Sequence, residues 1–206
     1  ALAQSLNLPA VWTLHEIGLD RGYKKTQEFG LTLSESDKYW GLALGGLETG
    51  ESPLTMAAAY GVFASGGYYY QPHLITKIVD STGAVIVDNT SVKGKQVISK
   101  ETADKMTSMM LGTFSNGTGV SASPYGFTIA GKTGTTETNF DLSKVNDQWI
   151  VGYTPDLVIS TWLGFEQTSA QHYLTGTSGQ VVGKIFKAEA ESLLPYSQGS
   201  QFQVAD

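Results

Sequence analysis

Three residues, Thr154-Pro155-Asp156, separate two apolar runs, Gln148–Tyr153 and Leu157–Leu163. A connection that short cannot carry the long crossover that parallel strands need, so two strands joined by it must pair antiparallel. Pro155 presets a turn dihedral, and Asp156 can bond its own backbone in a turn. Side chains alternate along a strand, which puts Trp149, Val151 and Tyr153 on one face. A third strand is expected at Phe127–Thr133, just upstream. The rest of the chain must therefore cover an antiparallel sheet.

The covering elements are read from period and caps. Ser52 before Pro53 is an N-terminal signal, and Leu54, Ala57, Ala58, Gly61, Val62 and Ser65 repeat at helical spacing up to Gly66-Gly67. Residues 68–98 read as β structure, with Ser81-Thr82-Gly83 as a hairpin turn between two β-rich runs. Ser99 caps a second helix whose stripe is Ala103, Met106, Met109 and Met110, and Gly112 is expected to close it. An N-terminal helical segment is broken near Ser5–Pro9 and ends at Gly18, and Val181–Leu194 reads as a closing amphipathic helix. The fold class is α+β: an antiparallel sheet of about five strands flanked by helices. Residues 1–195 form one body, and 196–206 read as a polar, frayed tail.

Composition narrows the chemistry. The net charge of −6 and the lack of a basic stripe argue against nucleic acid as a partner. With no cysteine there is no disulfide and no thiolate site, and His15, His73 and His172 lack ligand spacing, so neither metal nor cofactor is expected. Lys24 and Lys25 read as a solvated face, and Asn139–Asn146 as a polar connection that rims a cleft or simply turns.

One stretch has the residues of a reactive site. In Gly131-Lys132-Thr133-Gly134-Thr135-Thr136, strand alternation puts Lys132 and Gly134 on one face and Thr133 and Thr135 on the other. A lysine there can stabilise developing negative charge, threonine hydroxyls can bind a carboxylate, and glycine admits a second backbone. From spacing alone, a solvated lysine on a threonine-rich edge strand fits equally well. Lys-Thr-Gly recurs with Ser-x-x-Lys and a Ser-x-Asn type element in serine acyltransferases. Ser5-Leu6-Asn7 supplies the Ser-x-Asn spacing, with a helix cap before Pro9 as its plain alternative. No serine of the chain has a lysine three residues later.

These elements in order, with "LAQSLNLPAV", "ESPLTMAAAYGVFASGGYY", "NGTG", "IAGKTGTTE" and "DQWIVGYTPDLVISTWLG", resemble the transpeptidase domain of the class A, bifunctional penicillin-binding proteins. The likeness runs to about Phe165 and thins through Gln167–Gln180. It implies the penicillin-recognising serine acyltransferase fold, incomplete in this chain, with the nucleophilic serine and its lysine on a missing N-terminal segment of the same protein. It implies acyl transfer from peptidoglycan stem peptides ending in D-Ala-D-Ala, and acylation by β-lactam antibiotics. It implies catalytic roles for Ser5, Asn7, Lys132 and Thr135, and substrate binding by Thr133, Gly134 and Thr135. It further implies a place on the extracytoplasmic face of the cell membrane, anchored through an upstream segment. A related D,D-carboxypeptidase or β-lactamase and a non-catalytic β-lactam sensor are the alternatives. Ser-Leu-Asn in place of Ser-Asp-Asn counts against the class A β-lactamases.

Overall fold

The computed structural model describes residues 1–199, 201 and 202. Helix α1 (Asn7–Ile17) ends at Gly18, whose φ of +89° turns the chain directly into α2 (Leu19–Glu28). Two short 3₁₀ turns, Glu35–Asp37 and Trp40–Leu44, follow. Their loop is pinned by Asp37, which is 1% exposed. Its carboxylate accepts the backbone N–H groups of Glu48 and Ser34, and these hold it below the usual carboxylate range.

Helix α3 (Pro53–Ala64) starts as its cap signal requires, with Ser52 Oγ accepting from the N–H of Thr55 at 3.1 Å. Gly67 then accepts the N–H groups of Val97 and Ile98, in a position where a Cβ would lie 2.2 Å from the Ile98 carbonyl oxygen. Strands β1 (Tyr68–Tyr69) and β4 (Lys95–Gln96) pair antiparallel, enclosing the hairpin of β2 (Lys77–Val79) and β3 (Val85–Asp88). Asp80 shapes the hairpin turn by accepting from Thr82 and Ala84. Helix α4 (Lys100–Ser115) is capped by Ser99.

The principal sheet is β5 (Ala130–Glu137), β6 (Val145–Tyr153) and β7 (Val158–Gly164), all antiparallel in that order. Helix α5 (Val182–Leu193) closes the fold. The strands are antiparallel and flanked by helices, as expected. Among the described residues they are divided among three sheets, however, and the largest has three strands rather than about five.

Both faces of the principal sheet are covered. On one, Ile150 meets Val182 and Phe186 of α5, and Phe186 stacks on Phe114 of α4 at 5.7 Å. On the other, Tyr153 and Ala130 pack on Met110, with Tyr60, Phe63 and Phe202 around them. Tyr153 is sealed in by a 2.8 Å hydrogen bond between its hydroxyl and that of Thr107. Ile150 is fully buried, so Ile150→Val removes one methylene from a filled core and costs about 1 kcal/mol. The midpoint of urea unfolding reads this directly.

Several expectations change. Gly112 does not close α4; the helix runs on to Ser115, and Gly112 sits inside it where Ala3 crosses, 3.0 Å from the place of a Cβ. Within its stripe Ala103 and Met110 are buried, but Met109 is 50% exposed. Strand β5 begins at Ala130, three residues later than expected, because Phe127 and Ile129 enter the core before the ladder starts. Lys24 and Lys25 are exposed, as a solvated face requires, and Lys25 Nζ also donates to the Val97 carbonyl at 3.0 Å and to Glu28. The tail is tied at two points, by Gln198 N–H donating to Asp156 and by Phe202 edge-on to Tyr153; Ser200 and residues 203–206 lie outside the described residues.

Candidate active site

Strand β5 is an edge of its sheet, so one side of its backbone faces no neighbouring strand. Its side chains divide as the alternation requires. Lys132 leaves toward α1 and the apolar side of α3 and α4. Thr133 and Thr135 leave toward the loops that precede β5 and α5.

On the first side, Lys132 Nζ donates to Ser5 Oγ at 2.7 Å, joining residues 127 apart in sequence, and to the Thr133 carbonyl at 2.8 Å. Behind it is an apolar cavity of about 310 Å³, lined among others by Leu2, Phe29, Tyr60, Met106 and Met110. Removal from water disfavours the charged amine, and burial pushes the Lys132 pKa down to about 8.

Ser5 has a φ of +54° and is the only non-glycine residue with positive φ among those described. Such a conformation costs of order 1–3 kcal/mol and persists where surroundings enforce it. Here the Ser5 N–H donates to Leu2 O and the next N–H to Ala1 O, which folds the N-terminal turn beneath it. The plain cap reading does not describe Ser5: Leu6 is the N-cap of α1, and no side chain caps that end. Asn7 begins α1 and is exposed.

On the second side, the Thr133 hydroxyl meets that of Thr118 at 2.5 Å, and Thr133 is 8% exposed. Thr135 is exposed, yet its hydroxyl lies 2.6 Å from Ser178 Oγ. Gly134 stands between them, opposite Trp149 of β6. The strand thus brings Lys132 to Ser5 on one side, and Thr133 and Thr135 to Thr118 and Ser178 on the other. Asn7 lies two residues from Ser5, and Thr133 is turned inward.

A model of the penicillin binding protein transpeptidase domain matches residues 1–189 of this chain. The chain belongs to that family. Penicillin-binding protein 2a of Streptococcus pneumoniae is 48% identical over 205 residues, which is 99% of this chain and 28% of that protein. Penicillin-binding protein 1F of Bacillus subtilis is 40% identical over 178 residues, 86% of this chain and 24% of that protein. The chain therefore spans about a quarter of the length of these relatives. Among solved structures, the penicillin-binding protein PonA1 from Mycobacterium tuberculosis superposes with a TM-score of 0.71 at 29% identity, over 85% of this chain and 47% of that one.

Sequence reasoning does not reach the residues that support β5 on its second side. Thr118 belongs to the "NGTG" segment, and nothing in that segment points to its hydroxyl contact with Thr133. Ser178 lies in the stretch where the family likeness thins. Gln148, which in sequence marks only the start of a strand, is fully buried. The Asn139–Asn146 connection is a self-bonded turn: Thr138 N–H donates to Lys144 O, and Asp141 N–H to the Thr138 hydroxyl. His172 stacks on Phe165, and the His15 ring lies tilted against Trp40. Among the described residues, no group of three or more His, Cys, Asp or Glu is placed to hold a metal, and no helix is long and apolar enough to cross a membrane.

Proposed function

We propose that residues 1–195 are the C-terminal portion of the catalytic domain of a class A penicillin-binding protein, a D,D-transpeptidase that crosslinks peptidoglycan stem peptides through a serine acyl-enzyme. The observation that carries the proposal is the Lys132–Ser5 hydrogen bond, made by a partly desolvated lysine to a serine held at positive φ, beside the free edge of β5. Its setting is a chain whose family is that of the transpeptidase domains.

In this reading the nucleophilic serine and its lysine come from a segment of the same protein outside these 206 residues. The serine oxygen attacks the carbonyl carbon of the penultimate D-Ala. Its proton passes to the neighbouring lysine, the peptide C–N bond breaks, and the leaving D-Ala amine takes a proton relayed through Ser5. An amine of a second stem peptide then attacks the ester, restoring the serine and forming the crosslink. Lys132 raises the local positive potential and supports Ser5, and the hydroxyls of Thr135 and Thr133 hold the terminal carboxylate. Of these two threonines Thr135 is the better placed, because Thr133 already shares its hydroxyl with Thr118. Asn7 holds the donor amide. Gly134 lets the peptide lie along the strand, and the Thr135 N–H is one of two oxyanion donors. β-Lactams enter as mimics of the dipeptide; a neighbouring PonA1 structure is described in complex with penicillin V. The reaction lies on the extracytoplasmic side of the membrane, where the crosslinked substrate is.

Fluorescent penicillin labelling of the complete protein, followed by denaturing electrophoresis and peptide mapping, tests this. The label is expected on a serine outside residues 1–206. Label on Ser5, or on any serine of this chain, overturns the proposal. Rapid hydrolytic release of the label moves the protein to the carboxypeptidase or β-lactamase reading, and no acylation at all moves it to a sensor.

A further inference from the structure

We infer that Ser178 is a positioning residue for the carboxylate grip, deciding where the Thr135 hydroxyl sends its proton. The inference rests on the assignment of Thr135 as a carboxylate ligand.

Ser178 is 1% exposed and lies between two groups of β5. Its hydroxyl donates to the Gly134 carbonyl and lies 2.6 Å from the Thr135 hydroxyl, while its N–H donates to Thr135 Oγ1 at 3.3 Å. Proton counting fixes the direction of the middle contact. A carbonyl can only accept, so the single Ser178 hydroxyl proton is committed to Gly134 O. The 2.6 Å contact must then be a donation from Thr135 to Ser178. In this arrangement the Thr135 proton therefore points inward, toward Ser178.

A carboxylate can only accept as well. To bind one, Thr135 must turn its proton outward, which leaves two oxygens 2.6 Å apart with no proton between them unless Ser178 also turns. Ser178 removes that conflict by leaving Gly134 O and donating to Thr135. The result is a chain from Ser178 through Thr135 to the carboxylate, in which each hydrogen bond polarises the next. Thr135 without this partner keeps only the Ser178 N–H as a donor, and its own donation weakens.

The loop that carries Ser178 is built to hold it there. Gln148 sits opposite Thr135 in the β5–β6 ladder. Its side-chain amide donates to Thr175 O at 3.2 Å and Gly176 O at 3.0 Å, and accepts the N–H of Val182 at 3.2 Å. One fully buried amide thus clamps the loop on both sides of Ser178. The Gly183 N–H donates to Ser178 O at 2.7 Å, tying the residue to the first turn of α5.

The test compares acylation of the complete protein by benzylpenicillin and by its methyl ester, which cannot present a carboxylate. Ser178→Ala is expected to lower the rate with the acid about tenfold, the worth of a weakened charge-assisted hydrogen bond, and to change the ester rate less than about twofold. Ser178→Cys, which fills the same space with a weak donor, gives the same loss of acid preference even if alanine loosens the loop. Ser178→Thr restores the preference by restoring the hydroxyl. Equal losses for acid and ester in both the alanine and cysteine variants would mean a merely structural serine and overturn the inference, as would an unchanged acid-to-ester ratio. A wild-type protein that is not acylated, or that shows no preference for the acid, instead overturns the assignment of the carboxylate site itself.

Discussion

Lys132→Met slows acylation by benzylpenicillin by about 10²–10³-fold, the usual scale for removing one preorganised electrostatic group, and leaves the folded domain at least as stable. The reasoning begins with what surrounds the amine. Its two hydrogen-bond partners are neutral oxygens, Ser5 Oγ and the Thr133 carbonyl. A partly desolvated ammonium with only neutral partners costs stability and leaves its charge available to an incoming anion. Methionine follows the same path through the apolar wall without that cost.

The pH dependence separates this from a packing role. Burial sets the Lys132 pKa near 8, so the ammonium is lost as pH rises through that value. Acylation by the carboxylate form of penicillin is expected to decline above about pH 8 relative to acylation by the methyl ester, and Lys132→Arg, which stays charged, flattens that decline. Stability moves the other way. The folded pKa lies below the ordinary lysine value of 10.5, so between about 8 and 10.5 the unfolded chain binds the proton and the folded one does not. Stability at this residue therefore rises with pH across that window, and the cost of the buried charge is fully present below it. Wild-type acylation rates in Lys132→Met would return Lys132 to an ordinary edge-strand lysine.

How much of this was readable from sequence depends on how local each cause is. Helices α3 and α4 were legible at their starts, because Ser52 and Ser99 act on N–H groups three residues away. The β6–β7 hairpin was legible because three residues leave a chain no other way back. Helix α2 was not, since its run is mostly polar and its one narrow face, Leu19, Gly22, Tyr23 and Thr26, holds only two large apolar side chains. The length of β5 was misjudged because an edge strand continues through Thr135–Glu137 with its side chains in water, where hydrophobic alternation has nothing to report. Ser5 and Lys132 were found through their residue types and order; their contact spans 127 residues and needed the fold. Ser178 and Gln148 were invisible for a related reason. A serine and a glutamine in a polar loop or at a strand start look like any others, and their roles exist only as hydrogen bonds to residues more than 25 positions away.

The two glycines of Gly131-Lys132-Thr133-Gly134 are alike in sequence and opposite in cause, and alanine should separate them. At Gly131 a Cβ would lie 2.0 Å from the carbonyl oxygen of Val151 and 2.8 Å from the Cα of Gly152, both backbone atoms of β6. No side-chain rotation relieves that contact, so Gly131→Ala must pry β5 from the strand that anchors it. The expected cost is roughly 4 kcal/mol or more, beyond ordinary overpacking because backbone must move. At Gly134 the nearest atom to an added Cβ is Trp149 Cβ at 3.4 Å, an ordinary contact on a face with room. Gly134→Ala should therefore melt within about 1 kcal/mol of wild type. Its loss appears in the reaction: the methyl group intrudes where a peptide or β-lactam backbone lies along the strand, and a displacement of about 1 Å at the reacting centre lowers acylation by roughly 10²-fold. Denaturant midpoints and acylation rates of the two variants, measured together, decide the matter. Comparable stability losses at both positions, or a Gly134→Ala protein that acylates at the wild-type rate, would show that the second glycine serves the sheet and not the substrate, and would remove the ligand from the edge of β5.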